Sequence, residues 1–129
     1  MIFSLAIYAT PSVQSSDSAY RFANALVAHN HTLYRIFFYH DGVYHGSQLN
    51  TPAQDEVDHT VRWQQFAKQH NVDMVICIAS GLRRGILNSK EATRYEKSAH
   101  NLAEGFELSG LGQLVDAAVY SDRLVTFGH

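Results

Sequence analysis

The single cysteine, Cys77, has the clearest chemical potential in the chain. It lies in residues 74–79, MVICIA, a continuously apolar run rich in β-branched side chains. Such a run is typical of a strand covered on both faces, as in a parallel sheet. Open α/β sheets place their ligand sites at the carboxyl ends of strands, and Cys77 lies near that end. Two interpretations stay open here: a nucleophilic thiol, or a thiol that packs as a small hydrophobic side chain.

Two arginines, Arg83 and Arg84, follow Cys77 in residues 82–85, which we expect to form a loop. Nearby positive charge and the N-terminus of a following helix both favour a thiolate over a thiol. The thiolate is the form that attacks in nucleophilic sulfur chemistry. Arg83 and Arg84 are therefore candidate site residues, either for activating Cys77 or for docking the acidic side of a partner protein. Arginines in a loop also simply face solvent, so the pair alone decides nothing.

The composition excludes several classes of protein. Ten Lys and Arg residues against twelve Asp and Glu give a net charge of -2, which lacks the basic field that a general nucleic-acid surface needs. No apolar run approaches the roughly 20 residues of a membrane span, and no basic region precedes the apolar start. One cysteine excludes an internal disulfide and a multi-cysteine zinc site. We expect a cytoplasmic protein without a membrane or direct nucleic-acid partner.

The patterns that mark a metal or a phosphate-bearing cofactor are missing. Eight histidines are present, and two pairs are close in sequence, His29 with His31 and His40 with His45. Neither pair comes with the carboxylates or thiolates of a known metal site. No Walker A motif, G-x-G-x-x-G motif or G-x-S-x-G motif occurs, and the lone G-x-G within residues 109–112 reads as a helix break. We therefore expect no metal and no cofactor.

Strand-like and helix-like segments alternate along the chain. This alternation predicts an α/β three-layer sandwich with a largely parallel sheet of four to five strands, forming one domain over residues 1–129. The adjacent Phe37 and Phe38 must point to opposite faces of their strand, so both faces should be covered, while Tyr39 and Tyr44 are candidates for the rim of a site or interface. The expected strands are 2–8, 35–39, 74–79 and 123–127, and a fifth is suspected. We expect one helix from Ser16 or Asp17 to about residue 28, a second from Thr51 to about residue 70, and a third from Asn88 to about residue 108. A short helix over 113–118 follows them.

Four segments together resemble the DsrE family, and within it the TusD branch. They are FFYHDGVY at 37–44, ICIA at 76–79, LRRG at 82–85 and GFELSGLG at 105–112. Each segment is short, but their order and spacing make the set specific, and the resemblance extends over nearly the whole chain.

The resemblance implies a sulfurtransferase that carries a sulfane sulfur as a persulfide on one cysteine, and Cys77 is the matching position. It implies a TusA-like donor, a TusE-like acceptor, and a heterohexamer with TusC-like and TusB-like subunits, with self-association as the alternative. The sulfur would finally reach the wobble uridine of tRNA through a separate thiouridylase. The residues agree in one respect: a single thiol cannot resolve its own persulfide into a disulfide, so the sulfur must pass to another molecule.

Three other functions remain possible at this stage. The chain is a non-catalytic scaffold subunit of a DsrE-type oligomer if Cys77 is buried and inert. It is a carrier in sulfur oxidation if it follows the relatives that serve that pathway. A flavodoxin-like binding domain for a small molecule is disfavoured by the missing phosphate loop.

Overall fold

A five-stranded sheet forms the centre of the protein in the computed structural model, which describes residues 1–128. The strand order is β4-β3-β2-β1-β5 and every pairing is parallel, which confirms the predicted α/β class and parallel sheet. The strands are β1 (Ile2–Ile7), β2 (Thr32–Phe38), β3 (Asp73–Cys77), β4 (Phe106–Ser109) and β5 (Arg123–Phe127).

The helices lie on both faces of this sheet. From β1 to β4 the chain steps in one direction across the sheet, and it then crosses back to β5, so the last helix lies on the opposite face from the others. No helix in the described part of the chain is long and apolar enough to cross a membrane. The helices are α1 (Gln14–Ala28), α2 (His59–His70), α3 (Ile78–Arg83), α4 (Ser89–Arg94) and α5 (Gly112–Tyr120), with a 3-10 helix (His40–Gly46) after β2.

The main apolar core lies between the sheet and helices α1 and α2. Phe38 of β2 meets Trp63 of α2 at a ring-centroid distance of 6.0 Å, and Phe3 of β1 meets Phe22 of α1 at 6.1 Å. Phe37 and Phe38 are both fully buried although they point to opposite faces, which confirms that both sides of β2 are covered.

Helix α5 is fastened to the other face by a polar cluster around Arg35. The buried guanidinium donates from Nε to Asp73 at 2.7 Å and from Nη1 to Asp116 of α5 at 3.0 Å. Tyr34 donates its hydroxyl to the same Asp116 at 2.6 Å. The hydrogen bonds from Tyr34 and then Arg35 lower the pKa of Asp116. Arg35 therefore identifies the sheet face that carries α5.

Helix boundaries are the main errors of the sequence prediction. The helix expected from Thr51 begins only at His59, because Asp58 accepts the N–H of Val61 at 3.1 Å while the Thr51 hydroxyl donates to the Leu49 carbonyl in a local turn. The first helix begins at Gln14, and the Ser16 hydroxyl donates instead to backbone carbonyls of the preceding loop. Both hydroxyls hydrogen-bond to nearby backbone carbonyls, so neither caps a helix.

The long helix expected from Asn88 to about residue 108 is also wrong. Asn88 does cap a helix, accepting the N–H of Glu91 at 2.8 Å, but α4 ends at Arg94. The later residues return to the sheet, where Phe106 pairs with Met74, so β4 lies where the sequence predicted helix and supplies the fifth strand, whose place the sequence did not give. The predicted short helix over 113–118 is confirmed as α5.

Candidate active site

Cys77 is the last residue of β3 and directly precedes α3. The strand expected to continue to residue 79 ends here, because Ile78 already begins the helix, and Leu82 and Arg83 lie in that helix rather than in a loop. The thiol therefore lies at the carboxyl edge of the sheet, as its position in the sequence predicted. The residue is 2% exposed, so the thiol is buried at this edge.

Strand register identifies the face on which Cys77 lies. Arg35, whose side chain reaches α5, pairs with Asp73, and alternation along β3 puts Cys77 on the same face as Asp73. Cys77 pairs in turn with Ser109, the last residue of β4. Cys77 and Ser109 are thus neighbours in the sheet on the face that carries α5.

Aromatic rings occupy the same edge of the sheet next to β3. Tyr39 follows β2 in an extended conformation and stacks on His40, with ring centroids 4.3 Å apart and planes 15° apart. Tyr8, which follows β1, lies 5.2 Å from the Tyr39 ring. Tyr39 is therefore placed at the candidate site, whereas Tyr44 lies in the 3-10 helix and is 36% exposed.

The two arginines have different surroundings. Arg84 donates from Nε to Asp41 at 2.9 Å and from Nη1 to the carbonyl of Ser80 at 3.1 Å. It thereby ties α3, which follows Cys77, to the 3-10 helix that follows β2. Arg83 is exposed at the end of α3. The geometry supports a positioning role for Arg84, and partner docking by Arg83 stays a prediction.

Replacing Arg84 by alanine is expected to lower the free energy of unfolding by about 1 kcal/mol, because it removes a half-buried ion pair and a hydrogen bond to a carbonyl. Arg83→Ala is the matched control, with an expected change below about 0.5 kcal/mol. Urea denaturation of both variants measures the difference, and equal losses would contradict the assignment of Arg84 as the structural link.

Ser109 is a site residue to which the sequence analysis gave no role. The signal was the alternation of apolar and polar residues in Phe106–Ser109, FELS, which is typical of a strand with one polar face. Helix-like spacing upstream hid this pattern. With β4 recognised, Ser109 becomes the strand-end neighbour of Cys77.

Two further observations concern ligands. Within residues 1–128, no three His, Cys, Asp or Glu side chains come together in a way that could hold a metal ion. A cleft of about 890 Å³ opens between the loop before α1 and the segment before α2, lined by residues of 11–17 and 50–59, and Cys77 is not among them. The candidate nucleophile is thus separate from this cleft.

Comparison with known proteins gives four findings. A family model described as the DsrE/DsrF-like family matches residues 1–127. A protein of Allochromatium vinosum that bears the name DsrE is 50% identical over 115 residues, covering 89% of this chain and 88% of that protein. A Vibrio vulnificus protein named as a homolog of the sulfurtransferase TusD is 51% identical over 114 residues, covering 88% of this chain and 87% of that protein. The crystal structure of the YchN protein from Escherichia coli matches with a TM-score of 0.75 at 23% identity, covering 98% of this chain and 97% of that one, and this likeness supports the fold alone.

Proposed function

Because this chain belongs to the DsrE/DsrF-like family, we propose that it is a sulfurtransferase of a sulfur relay, which accepts a sulfane sulfur as a persulfide on Cys77 and passes it to a partner protein. The observation that carries the proposal is the position of the only thiol in the sequence, at the carboxyl end of a central parallel strand. The name of a relative that is 51% identical supports the sulfur chemistry.

The transfer is a thiol–persulfide exchange. The Cys77 thiolate attacks the outer sulfur of a persulfide on the donor protein, a new S–S bond forms at Cys77, and the S–S bond of the donor breaks. The donor cysteine leaves as a thiolate and takes up the proton that Cys77 lost. No net oxidation occurs, so the step needs no cofactor. An acceptor thiolate then removes the outer sulfur from Cys77 by the same reaction.

The partners follow from the family resemblance. We propose a TusA-like donor, a TusE-like acceptor, and assembly with TusC-like and TusB-like subunits in the cytoplasm, with delivery toward the wobble uridine of tRNA. A carrier in sulfur oxidation is the alternative pathway that the family resemblance leaves open. The two pathways can be distinguished by incubating the chain with a purified sulfur donor from each pathway and measuring which donor transfers sulfur to Cys77.

The direct test is the intact mass of the purified chain after incubation with a persulfide-charged donor protein. We expect a gain of one sulfur that a reductant reverses, and we expect the Cys77→Ser variant to gain none, because it lacks the only thiol. The variant should keep the melting temperature of the unmodified protein within a few degrees, which shows that the fold survives. A wild-type chain that never gains sulfur, even with its sister subunits present, would refute the persulfide carrier.

A non-catalytic scaffold subunit is the second candidate function, and the burial of Cys77 at 2% exposure favours it. A packed thiol reacts slowly with an alkylating reagent in the native state and quickly after unfolding. The scaffold role is correct if the native chain is labelled more than about a thousandfold more slowly than the unfolded chain, and if neither the sister subunits nor the donor protein accelerates this labelling. Acceleration by the donor would instead support the carrier.

A further inference from the structure

We infer that Ser109 donates a hydrogen bond to the negatively charged terminal sulfur of the Cys77 persulfide. This inference rests on the proposed function and assigns a second residue to it. Ser109 is the direct partner of Cys77 in the β3–β4 register. Side chains paired in parallel strands project from the same face, and neighbouring strands lie about 4.8 Å apart. The two side chains form no hydrogen bond within the described residues, and the contact that we infer forms when Cys77 is a thiolate or carries the transferred sulfur.

The surroundings of Ser109 leave its hydroxyl available for this contact. The residue is half-buried at the end of β4, and no hydrogen bond of its Oγ to another group occurs within residues 1–128. Glu107, two residues earlier on the same face, is exposed and pairs with Val75 rather than with Cys77. Ser109 is therefore the neutral donor nearest to Cys77 in the register.

The chain beyond Ser109 leaves room for a donor protein to approach. A Cβ added to Gly110 or Gly112 would meet no heavy atom within 4 Å, and Leu111 between them is 48% exposed. The segment that follows Ser109 is therefore open to solvent, whereas the other face of β3 is closed by the main core. The G-x-G pattern, which the sequence analysis interpreted as a helix break, leaves open space directly after Ser109.

The transfer chemistry favours a hydrogen-bond donor at this position. A persulfide is more acidic than a thiol, so the charged Cys77 carries a negative terminal sulfur after transfer, and so does the Cys77 thiolate before it. A hydroxyl that donates to this charge favours both the attack and the persulfide product, because hydrogen bonds to charged groups are stronger than those between neutral groups. The serine takes no part in bond formation and its proton stays on its oxygen.

The test compares Ser109→Thr with Ser109→Val, a pair that differs essentially by the hydroxyl. Inorganic polysulfide serves as the sulfur source, and intact mass gives the rate at which the full chain gains one sulfur at Cys77. We expect Ser109→Val to charge about tenfold more slowly than wild type and Ser109→Thr to stay within about threefold. Both side chains are β-branched and favourable in a strand, so the two variants should melt at closely similar temperatures.

The outcomes separate this inference from the proposed function. If wild type charges at Cys77 and the Thr and Val variants charge at equal rates, the role of Ser109 is overturned while the carrier function stands. If wild type gains no sulfur from polysulfide or from a protein donor, the carrier function falls and the role of Ser109 falls with it. The inference is supported if Ser109→Val charges slowly, Ser109→Thr charges at a normal rate, and both have the same melting temperature. A purely structural role would not make the charging rate depend on the hydroxyl.

Discussion

Replacing Gly42 by alanine is expected to lower the free energy of unfolding by about 3 kcal/mol, the largest loss that we expect from adding a Cβ at any glycine of this chain. Gly42 lies in the 3-10 helix after β2, and a Cβ built there would stand 1.9 Å from the carbonyl oxygen of Ile7. That oxygen already accepts the N–H of Tyr39 at 2.9 Å. The methyl group must displace backbone rather than a flexible side chain, so the structure cannot relax cheaply.

Gly112→Ala is the matched control for this measurement. Gly112 is the first residue of α5, its backbone does not adopt a positive φ, and an added Cβ meets nothing within 4 Å. We expect this variant to gain about 0.5 kcal/mol, because alanine loses less conformational entropy on folding than glycine. Urea denaturation at neutral pH measures both variants. A Gly42→Ala variant as stable as wild type would mean that the 3-10 helix does not press on the end of β1.

The sheet was predictable because its central strands carry their signal locally. The unbroken apolar run around Cys77 and the adjacent Phe37 and Phe38 each indicate strands covered on both faces, and the structure confirms burial on both sides. β4 was missed because its four residues gain their strand conformation from pairing with β3, an interaction between distant segments. Local patterns cannot report a partner strand that lies about 30 residues away.

The position of Cys77 in the fold was predictable, and its surroundings were not. The position of Cys77 at a strand end followed from the run itself. The pairing of Cys77 with Ser109 depends on the β3–β4 register, and the contact of Arg84 with Asp41 depends on how the 3-10 helix packs against α3. Both pairings depend on tertiary packing. The sequence therefore showed that charged and polar residues follow Cys77, but it did not show which residues become neighbours in the fold.

His45 is a buried titratable residue that the sequence analysis considered only in its pair with His40. It is fully buried, its Nε2 lies 3.2 Å from the Ala9 carbonyl and 3.1 Å from Ser16 Oγ, and its Nδ1 has no hydrogen-bond partner within the described residues. Burial, followed by the charges of His59 and Arg62, lowers the pKa of His45 from 6.5 to about 3. The imidazole is therefore neutral in the folded protein at neutral pH, and Nε2–H is the donor to Ala9.

Lowering the pH from 7.5 to 5 is expected to cost about 2 kcal/mol of unfolding free energy through His45. The unfolded chain binds a proton at this histidine below pH 6.5 and the folded chain does not until about pH 3. Stability is thus complete above pH 6.5 and is lost as the pH falls through that window. His59, whose pKa is also lowered mainly by burial, adds to the loss in the same direction.

The His45→Gln variant isolates this contribution, because the amide nitrogen of glutamine can replace Nε2–H as the donor to Ala9 and does not titrate. We expect this variant to be less stable than wild type at pH 7.5 and to lose about 2 kcal/mol less than wild type between pH 7.5 and 5. His100→Gln, at an exposed position, should retain the full pH dependence of wild type. Urea titrations at several pH values provide the comparison, and equal slopes for the His45 and His100 variants would show that the acid sensitivity arises elsewhere. A convergence of the His45→Gln and wild-type stabilities as the pH falls toward 5 would instead identify the buried imidazole as the group that makes the fold sensitive to acid.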